Sequence, residues 1–349
     1  MNTILDKMNL DAAILLEDNN RKYYTGFMSS FGAVLLTKKD NYFFTDFRYG
    51  IAAKKTIKDF NVIITKPEEL NAAIGSALRK IPGIKNLGFE DRSLTVKEHK
   101  ELKSALSEFT FKPLGSSVLE ERAVKTKDEI QQIKIAQKIT EDALLKTMAM
   151  IRPGVSEADI NAELTYQMIK CGADELAFNN IVAFQENTAD CHHVPTDKKL
   201  SKNDIITIDC GARKNGYCSD MTRTFCLGEP LAKLQEIYSI VLGAQNYILS
   251  ILRAGYTGRQ VDMLCREYFR SYGYEKEFGH SLGHGVGIQI HELPNMSTTC
   301  DMELTEGNIV TVEPGLYVDG LGGVRIEDMV LIKKDGIENL TAFKKSISI

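Results

Sequence analysis

The sequence has no long apolar run, and this limits where the chain can act. In the 349 residues of the sequence, no stretch approaches the roughly 20 consecutive apolar residues of a membrane-spanning helix. The first segment, MNTILDKMNLDAAILL, lacks the basic start, apolar stretch and small-residue cleavage site of a signal peptide. We therefore expect a cytoplasmic protein that does not act at a membrane.

Two other patterns, an excess of one charge and paired cysteines, are also missing. The 43 Lys and Arg nearly balance the 47 Asp and Glu, for a net charge of -4 and a pI near 6.0, so nothing favours binding to nucleic acid. The 7 cysteines are odd in number and form no C-x-x-C pair. We expect reduced thiols that pack as small buried apolar side chains.

Length and composition predict two globular domains. A chain of 349 residues exceeds what one core usually holds, and its 43% apolar and 26% charged residues are ordinary for folded proteins. In the first third, short apolar runs alternate with polar turns and one helical segment, which predicts an α/β domain. The predicted strands are 12–16, 33–36, 42–44 and 61–64, and the predicted helix is 70–79.

A connection between the domains is predicted at 112–117, where Pro, Gly and Ser occur together. We place the first domain at residues 1–118 and the second at 119–349. Thr126 and Glu129 form a capping box that predicts the start of a helix soon after this boundary. The first domain has one histidine and no acidic cluster, so we expect the chemistry in the second.

An internal repeat organises the second domain. The segments 152–156 and 253–257 are each predicted to join two helices. Later, DIITIDCG at 204–211 is echoed by NIVTVEPG at 308–315, with an acid near the end of each strand. These matches predict an α+β domain in which a helix pair followed by antiparallel strands occurs twice.

Strand pairing is predicted to bring two acids of the first half together. Asn215-Gly216 is a strong two-residue hairpin signal, and a hairpin there pairs Asp209 with Thr222. Side chains alternate between the faces of a strand, so Asp220 lies on the same face as Asp209, one diagonal step away. The two carboxylates can therefore converge on one ion.

A second hairpin, centred on Gly320, places Glu313 directly opposite Glu327. Like charges in that position destabilise a sheet unless a cation lies between them. Because the chain has 47 acidic residues, pairs of ordinary solvated acids also arise by chance. These acids, however, end strands that should be buried, and a buried carboxylate must be paired or bound to metal.

Five of the six histidines lie between positions 192 and 291, which indicates function in that region. His280 and His284 have the spacing of two zinc ligands on a helix. Four glycines around them make a helix unfavourable and instead predict a loop or strand where backbones approach closely. Any one of these histidines could equally be structural.

Four carboxylates and one imidazole suit two divalent cations, because the formal charges cancel. Oxygen-rich ligation favours Mn²⁺, with Co²⁺, Fe²⁺ and Zn²⁺ as alternatives. A pair of such cations activates water and polarises a carbonyl, which predicts a hydrolase. The predicted metal ligands are Asp209, Asp220, His284, Glu313 and Glu327.

This ordered ligand set resembles that of the pita-bread metallopeptidases, and among them the Xaa-Pro peptidases: proline dipeptidases and aminopeptidases P. The resemblance runs nearly the whole length and implies a pita-bread catalytic domain preceded by a smaller creatinase-like domain, in a homodimer. The motifs that carry it are IDCG, GYCSDMTRTF, GHSLGHGVG, HELP, VEPGLY and GVRIED, with NNRKYYTGF and TDFRYG in the first domain.

The resemblance also implies roles. Asp209 and Asp220 would hold one metal, His284 the other, and Asp220, Glu313 and Glu327 would be shared. Glu313 would be the general base toward the attacking water. The matching residues that would orient substrate, stabilise the tetrahedral intermediate or steady Asp209 are His192, His280, His291, Arg325 and Tyr317.

One stretch departs from the family pattern. Cys191 stands where Pro is common, which leaves open whether His192 or His193 faces the substrate. The sequence also leaves open the choice between Xaa-Pro dipeptides and longer peptides, and it does not identify a cation for a dipeptide carboxylate. The alternatives are a broader aminopeptidase on the same fold and a non-catalytic peptide-binding relative, although the intact ligand set disfavours the latter.

Overall fold

The computed structural model describes residues 3–348, and the chain divides into two compact units between Arg122 and Ala123. The predicted limits, 1–118 and 119–349, fall slightly earlier, inside the helix Ser117–Ala123. The predicted connection at 112–117 lies within the first unit rather than between the two units. Leu114 is 1% exposed and its backbone N–H donates to Phe89 O at 2.9 Å, which explains why this stretch belongs to the first unit.

The first unit alternates strands and helices, and the predicted strands and helix are all present. Its strands are β1 (Ala12–Leu15), β2 (Ala33–Thr37), β3 (Tyr42–Thr45), β4 (Asn61–Ile64), β5 (Asn86–Phe89) and β6 (Thr110–Pro113). Its helices are α1 (Thr3–Lys7), α2 (Asp18–Thr25), α3 (Phe47–Thr56), α4 (Leu70–Arg79), α5 (Val96–Ala105) and α6 (Ser117–Ala123), with a 3-10 helix at Pro67–Glu69.

These strands form a mixed sheet in the order β4-β3-β2-β1-β5-β6. Strand β2 is antiparallel to β1 and β3, and the other neighbours are parallel. Alternate residues of β1 enter different cores: Ala13 and Leu15 pack with α1, α3 and α6, whereas Ala12 and Ile14 pack with α4 and α5. Helices therefore cover both faces of the sheet, as expected for an α/β unit.

The second unit has two helix pairs and short antiparallel strands. Its helices are α7 (Lys127–Thr147), α8 (Glu157–Lys170), α9 (Ala232–Ile251) and α10 (Gly258–Ser271), with 3-10 helices at Met148–Met150 and Gln185–Ala189. The strands of the first half are β7 (Glu175–Leu176), β8 (Ile181–Phe184), β9 (Ile205–Cys210), β10 (Ala212–Lys214), β11 (Tyr217–Cys218) and β12 (Met221–Cys226). Those of the second half are β13 (Gly283–Gly285), β14 (Glu292–Met296), β15 (Ile309–Val312), β16 (Gly315–Val318), β17 (Gly322–Arg325), β18 (Asp328–Lys333) and β19 (Gly336–Asn339).

The predicted repeat is visible in the backbone hydrogen bonds. In each half, a leucine ahead of the central strand accepts a hydrogen bond from a glycine in the turn between the helices. The pair is Leu200 with Gly154 at 2.8 Å in the first half and Leu304 with Gly255 at 2.9 Å in the second. Helices α8 and α10 also both start with a capping box. The two halves are therefore built on one pattern.

The strand registers agree with the prediction. Strand β9 pairs with β12, which sets Asp209 opposite Thr222, and β10 pairs with β11 across the turn at Asn215-Gly216. The φ angles of Asn215 and Gly216 are 52° and 82°, as a type I′ turn requires. In the second half, β15 pairs with β18 and β16 with β17 around Gly320.

Each half of the second unit has its own core. Helices α7 and α8 pack on β8, β9 and β12, and helices α9 and α10 pack on β15 to β18. The predicted capping box at Thr126 and Glu129 starts α7. Within residues 3–348, no helix combines the length and the apolar composition needed to cross a membrane.

Candidate metal centre

The second unit contains a cavity of about 890 Å³. All five predicted metal ligands line it, and they come from both halves of the repeat. Apolar side chains, among them Phe178, Ile181 and Ile290, line other parts of the wall. A cavity of this size, in which many polar groups converge beside apolar walls, is suited to a small molecule or peptide.

The hairpin registers explain how the acids converge. Asp209 lies in β9, a strand buried at all its positions, and Asp220 lies in the gap before β12, on the same face. Glu313 follows β15 and Glu327 precedes β18. Because Val312 pairs with Asp328, the next position along the two strands sets Glu313 across from Glu327, as predicted.

His284 lies at the centre of β13, which confirms a strand rather than a helix at this position. The flanking glycines are required by close packing. A Cβ at Gly283 would lie 2.2 Å from Thr311 O, and one at Gly285 would lie 2.3 Å from Leu293 O. The glycine signal in the sequence therefore reflects backbones that approach one another around the imidazole.

The imidazole of His284 presents a lone pair to two acids. Its Nδ1 donates to Gly285 O at 3.1 Å, which leaves Nε2 as an acceptor. Nε2 lies 3.5 Å from Asp220 Oδ2 and 3.3 Å from Glu313 Oε1. Because burial lowers the pKa of His284 to about 4, the ring is neutral and these contacts are not ion pairs. A neutral imidazole turned toward two carboxylates suits a shared cation.

Burial changes the acid strength of the carboxylates. It raises the pKa of Asp220 well above its usual value, and the charges of Glu327 and Asp209 raise it further. Burial likewise raises the pKa of Glu327 well above its usual value, and that of Glu313 to about 8. Mutual repulsion of this kind opposes ionisation unless positive charge is supplied.

The donor set fits divalent cations. Ligand atoms of Asp220, His284 and Glu327 lie within 4.8 Å of one another. Asp209 belongs to the same cavity, and its Oδ1 is buried with no hydrogen-bond partner among residues 3–348. An unpaired carboxylate oxygen beside further buried acids needs a positive charge. Bound cations would neutralise these acids and lower their pKa values.

A hydrogen-bonded chain holds the other oxygen of Asp209. Arg325 Nη2 donates to Asp209 Oδ2 at 2.7 Å, and Arg325 Nη1 donates to Tyr317 OH at 2.8 Å. The Tyr317 hydroxyl lies 2.9 Å from His280 Nε2, while His280 Nδ1 lies 2.8 Å from Ser281 O. Both ring nitrogens of His280 therefore have hydrogen-bond partners, and this histidine holds the Tyr317 hydroxyl in the series of hydrogen bonds that leads to Asp209.

Two threonines that we did not single out from the sequence orient the acids. Thr222 Oγ1 donates to Glu327 Oε2 at 2.8 Å, and Thr311 Oγ1 donates to Glu313 Oε1 at 3.1 Å. The alternation of side chains along a strand could have identified both threonines. Thr222 is paired with Asp209, and Thr311 lies two residues before Glu313, so each shares a face of the sheet with an acid of the centre.

The remaining predicted histidines lie along the cavity wall. His192 and His291 are both exposed and line the cavity, and the rings of His291 and His284 are 4.3 Å apart. His193 is more buried, and its Nε2 lies 2.9 Å from Glu157 Oε2. Of the two neighbouring histidines, His192 is therefore the one whose ring nitrogens remain available to a ligand.

A buried set of acids and one imidazole in such a cavity defines a metal-binding hydrolase. The chain belongs to metallopeptidase family M24: residues 131–334 match this family, and residues 1–124 match the Creatinase/Prolidase N-terminal domain. The predicted fold, a pita-bread domain preceded by a creatinase-like α/β domain, is thereby confirmed.

Relatives cover almost the whole chain. An Xaa-Pro dipeptidase of Pyrococcus horikoshii is 33% identical over 345 residues, which is 98% of this chain and 96% of the relative. The structure is similar to that of an Xaa-Pro dipeptidase from Bacillus anthracis, with a TM-score of 0.94, 38% identity and coverage of 99% and 97% of the two chains. It is also similar to an X-Pro aminopeptidase from Thermotoga maritima, with a TM-score of 0.93, 36% identity and 100% coverage of both chains.

Proposed function

We propose that the protein hydrolyses the peptide bond between an N-terminal residue and a following proline. The observation that carries this proposal is the convergence of four acids and His284 on one cavity. Similarity to proteins named Xaa-Pro dipeptidase and X-Pro aminopeptidase supports the choice of substrate. Proline has a fixed ring and no amide hydrogen, so apolar walls such as Phe178 and Ile290 suit it.

In this proposal two divalent cations are held by Asp209, Asp220, His284, Glu313 and Glu327. Mn²⁺ is preferred because oxygen donors outnumber nitrogen, with Co²⁺, Fe²⁺ and Zn²⁺ as alternatives. When bound, the cations would activate water and polarise the scissile carbonyl.

The chain's own residues position the substrate and move the proton. Glu313 accepts a proton from the attacking water, a role that requires a carboxylate beside the site of attack. His192 and His291 orient the substrate from the cavity wall. Tyr317 and Arg325 fix Asp209 through the hydrogen bonds described above, and His280 braces Tyr317.

The decisive experiment measures hydrolysis by protein stripped of metal and then loaded with Mn²⁺. Xaa-Pro substrates should be cleaved only by the loaded protein, and matched Xaa-Ala substrates should be cleaved poorly. Equal cleavage of both would identify a broader aminopeptidase. Absence of metal binding and of hydrolysis with Mn²⁺, Co²⁺, Fe²⁺ and Zn²⁺ would identify a non-catalytic relative.

We also propose a cytoplasmic homodimer. The location is supported by the seven cysteines, all of which are free thiols. The dimer is supported by the family resemblance, and sedimentation equilibrium of the purified chain tests it.

A further inference from the structure

Uncharged polar side chains line part of the cavity beside helix α8. They are Asn161, Thr165 and Asn180. Asn161 and Thr165 are four residues apart on α8 and therefore lie on one face of the helix. The proposed metal chemistry uses none of the three, so their contact with the cavity needs another explanation.

Asn180 holds the other two in place. It is 3% exposed, and its Nδ2 donates to Asn161 Oδ1 at 3.0 Å and to Thr165 Oγ1 at 3.2 Å. Its own Oδ1 is buried without a hydrogen-bond partner among the described residues. Since these bonds occupy acceptor atoms, the Asn161 amide N–H groups and the Thr165 O–H remain as donors. Within residues 3–348 neither side chain donates to another residue, so both donors are available to a ligand.

The charges of the cavity indicate which ligand group these donors receive. Among the described residues that line it, Arg325 is the one lysine or arginine, and its Nη atoms already bind Tyr317 and Asp209. In this cavity the free carboxylate of a dipeptide would lose water and find no unengaged lysine or arginine among the described lining residues, which is costly. A peptide carbonyl needs only neutral donors such as an amide N–H or a hydroxyl.

We propose that Asn161, Thr165 and Asn180 form a subsite for the peptide main chain beyond the proline. The protein then acts on Xaa-Pro peptides of three or more residues in preference to free Xaa-Pro dipeptides. This inference rests on the proposed function. The cavity of about 890 Å³ supports it, because it is near the upper end of the roughly 300–1,000 Å³ usual for ligand pockets.

The test compares an Xaa-Pro dipeptide with an Xaa-Pro-Yaa-Zaa tetrapeptide on Mn²⁺-loaded protein. The wild type should cleave the tetrapeptide with the higher kcat/KM. Thr165→Val and Asn161→Leu should each lower the ratio of kcat/KM for the tetrapeptide to kcat/KM for the dipeptide roughly fivefold, as loss of one hydrogen bond predicts. The change should arise mainly from a higher KM for the tetrapeptide. Thr56→Val, a matched change at an exposed threonine of α3, should leave the ratio unchanged.

A binding measurement separates the subsite from turnover. Calorimetry should show that the product-like peptide Pro-Yaa-Zaa binds Thr165→Val and Asn161→Leu more weakly than wild type. Preference for the dipeptide, or an unchanged ratio and unchanged product binding in both variants, would overturn the subsite while leaving the proposed function intact. Failure to cleave either substrate would overturn the proposed function, and the subsite with it.

Discussion

Glu313 and Asp220 are both acids of the centre, yet their substitutions should have different effects on catalysis and on metal binding. We predict that Glu313→Gln lowers kcat about 100-fold or more, the scale of general-base catalysis, because an amide cannot take the proton. Asp220→Asn should weaken metal binding more, since Asp220 lies in the tight group with His284 and Glu327. Steady-state kinetics and calorimetric metal titration measure the two effects.

The matched control for these variants is Glu306→Gln, which changes an exposed acid in the same unit. It should keep wild-type kinetics and metal affinity. Wild-type turnover by Glu313→Gln would show that this residue is not the base.

Thr222 connects two ionisable groups of the centre, Arg325 and Glu327, through one hydroxyl. It accepts a hydrogen bond from Arg325 Nε at 3.0 Å and donates one to Glu327 Oε2 at 2.8 Å. Thr222→Val keeps the shape and removes both bonds, so the free energy of unfolding of metal-free protein should fall by about 1–3 kcal/mol. Metal affinity should fall roughly 10- to 100-fold. Urea denaturation and metal titration test this, and exposed Thr110→Val should change neither.

At the residue scale, spacing along the strands was enough to predict which acids share a site. Alternation of side chains depends only on the backbone, so Asp209 and Asp220 could be placed on one face from sequence. The choice between His192 and His193 could not be made that way. It depends on Glu157, which is distant in sequence and engages only His193.

The loop between β8 and β9 is organised by one buried carboxylate at the start of α8. Glu157 accepts hydrogen bonds from Phe184 N at 2.8 Å, Asn187 Nδ2 at 2.8 Å and Thr196 N at 2.9 Å, and its Oε2 lies 2.9 Å from His193 Nε2. Although burial opposes ionisation of Glu157, these hydrogen bonds outweigh it and lower the pKa. The same loop places His192 at the cavity wall, so we expect a well-ordered loop to favour substrate binding.

Glu157→Gln should therefore loosen this loop. An amide replaces one acceptor oxygen by a donor that faces other donors, which costs about 1–3 kcal/mol locally. We expect faster hydrogen exchange at 184–196 and a KM raised roughly tenfold, which corresponds to a loss of about 1.4 kcal/mol in substrate binding. Glu163→Gln, on the same helix, is the control. Wild-type exchange in Glu157→Gln would contradict this role for the carboxylate.

Local signals also explain which elements could be predicted. The turns at Asn215-Gly216 and Gly320 determine how the strands on either side of them pair. The register of a hairpin follows from its turn and from the alternation of apolar and polar residues along its strands, and both are local features of the sequence. The composition of 112–117 predicts a connection between the domains, but burial of Leu114 keeps this segment in the first unit. Burial by distant residues is not visible in a short composition window.

The acids of the centre should couple metal binding to the stability of the fold. Three of them, Asp220, Glu313 and Glu327, have pKa values raised above those of an unfolded chain. Their protonated forms favour the folded state at low pH. As pH rises from about 4, the usual pKa of Asp and Glu, toward the folded pKa of about 8 for Glu313, these three acids contribute less and less to the stability of the metal-free protein.

Cations reverse this trend because they compete with the protons for the same oxygens. We predict that Mn²⁺ raises Tm little at pH 5 and much more at pH 8, where the acids are ready to ionise around it. At a hundredfold excess over Kd the gain should be about 2.7 kcal/mol. Differential scanning calorimetry with Mn²⁺ or a chelator, at constant ionic strength, measures it. At pH 8 the stabilisation by Mn²⁺ should be smaller in Asp220→Asn than in wild type. A stabilisation that does not depend on pH would contradict the coupling between metal binding and ionisation of these acids, because it would place the cations on groups that do not titrate in this range.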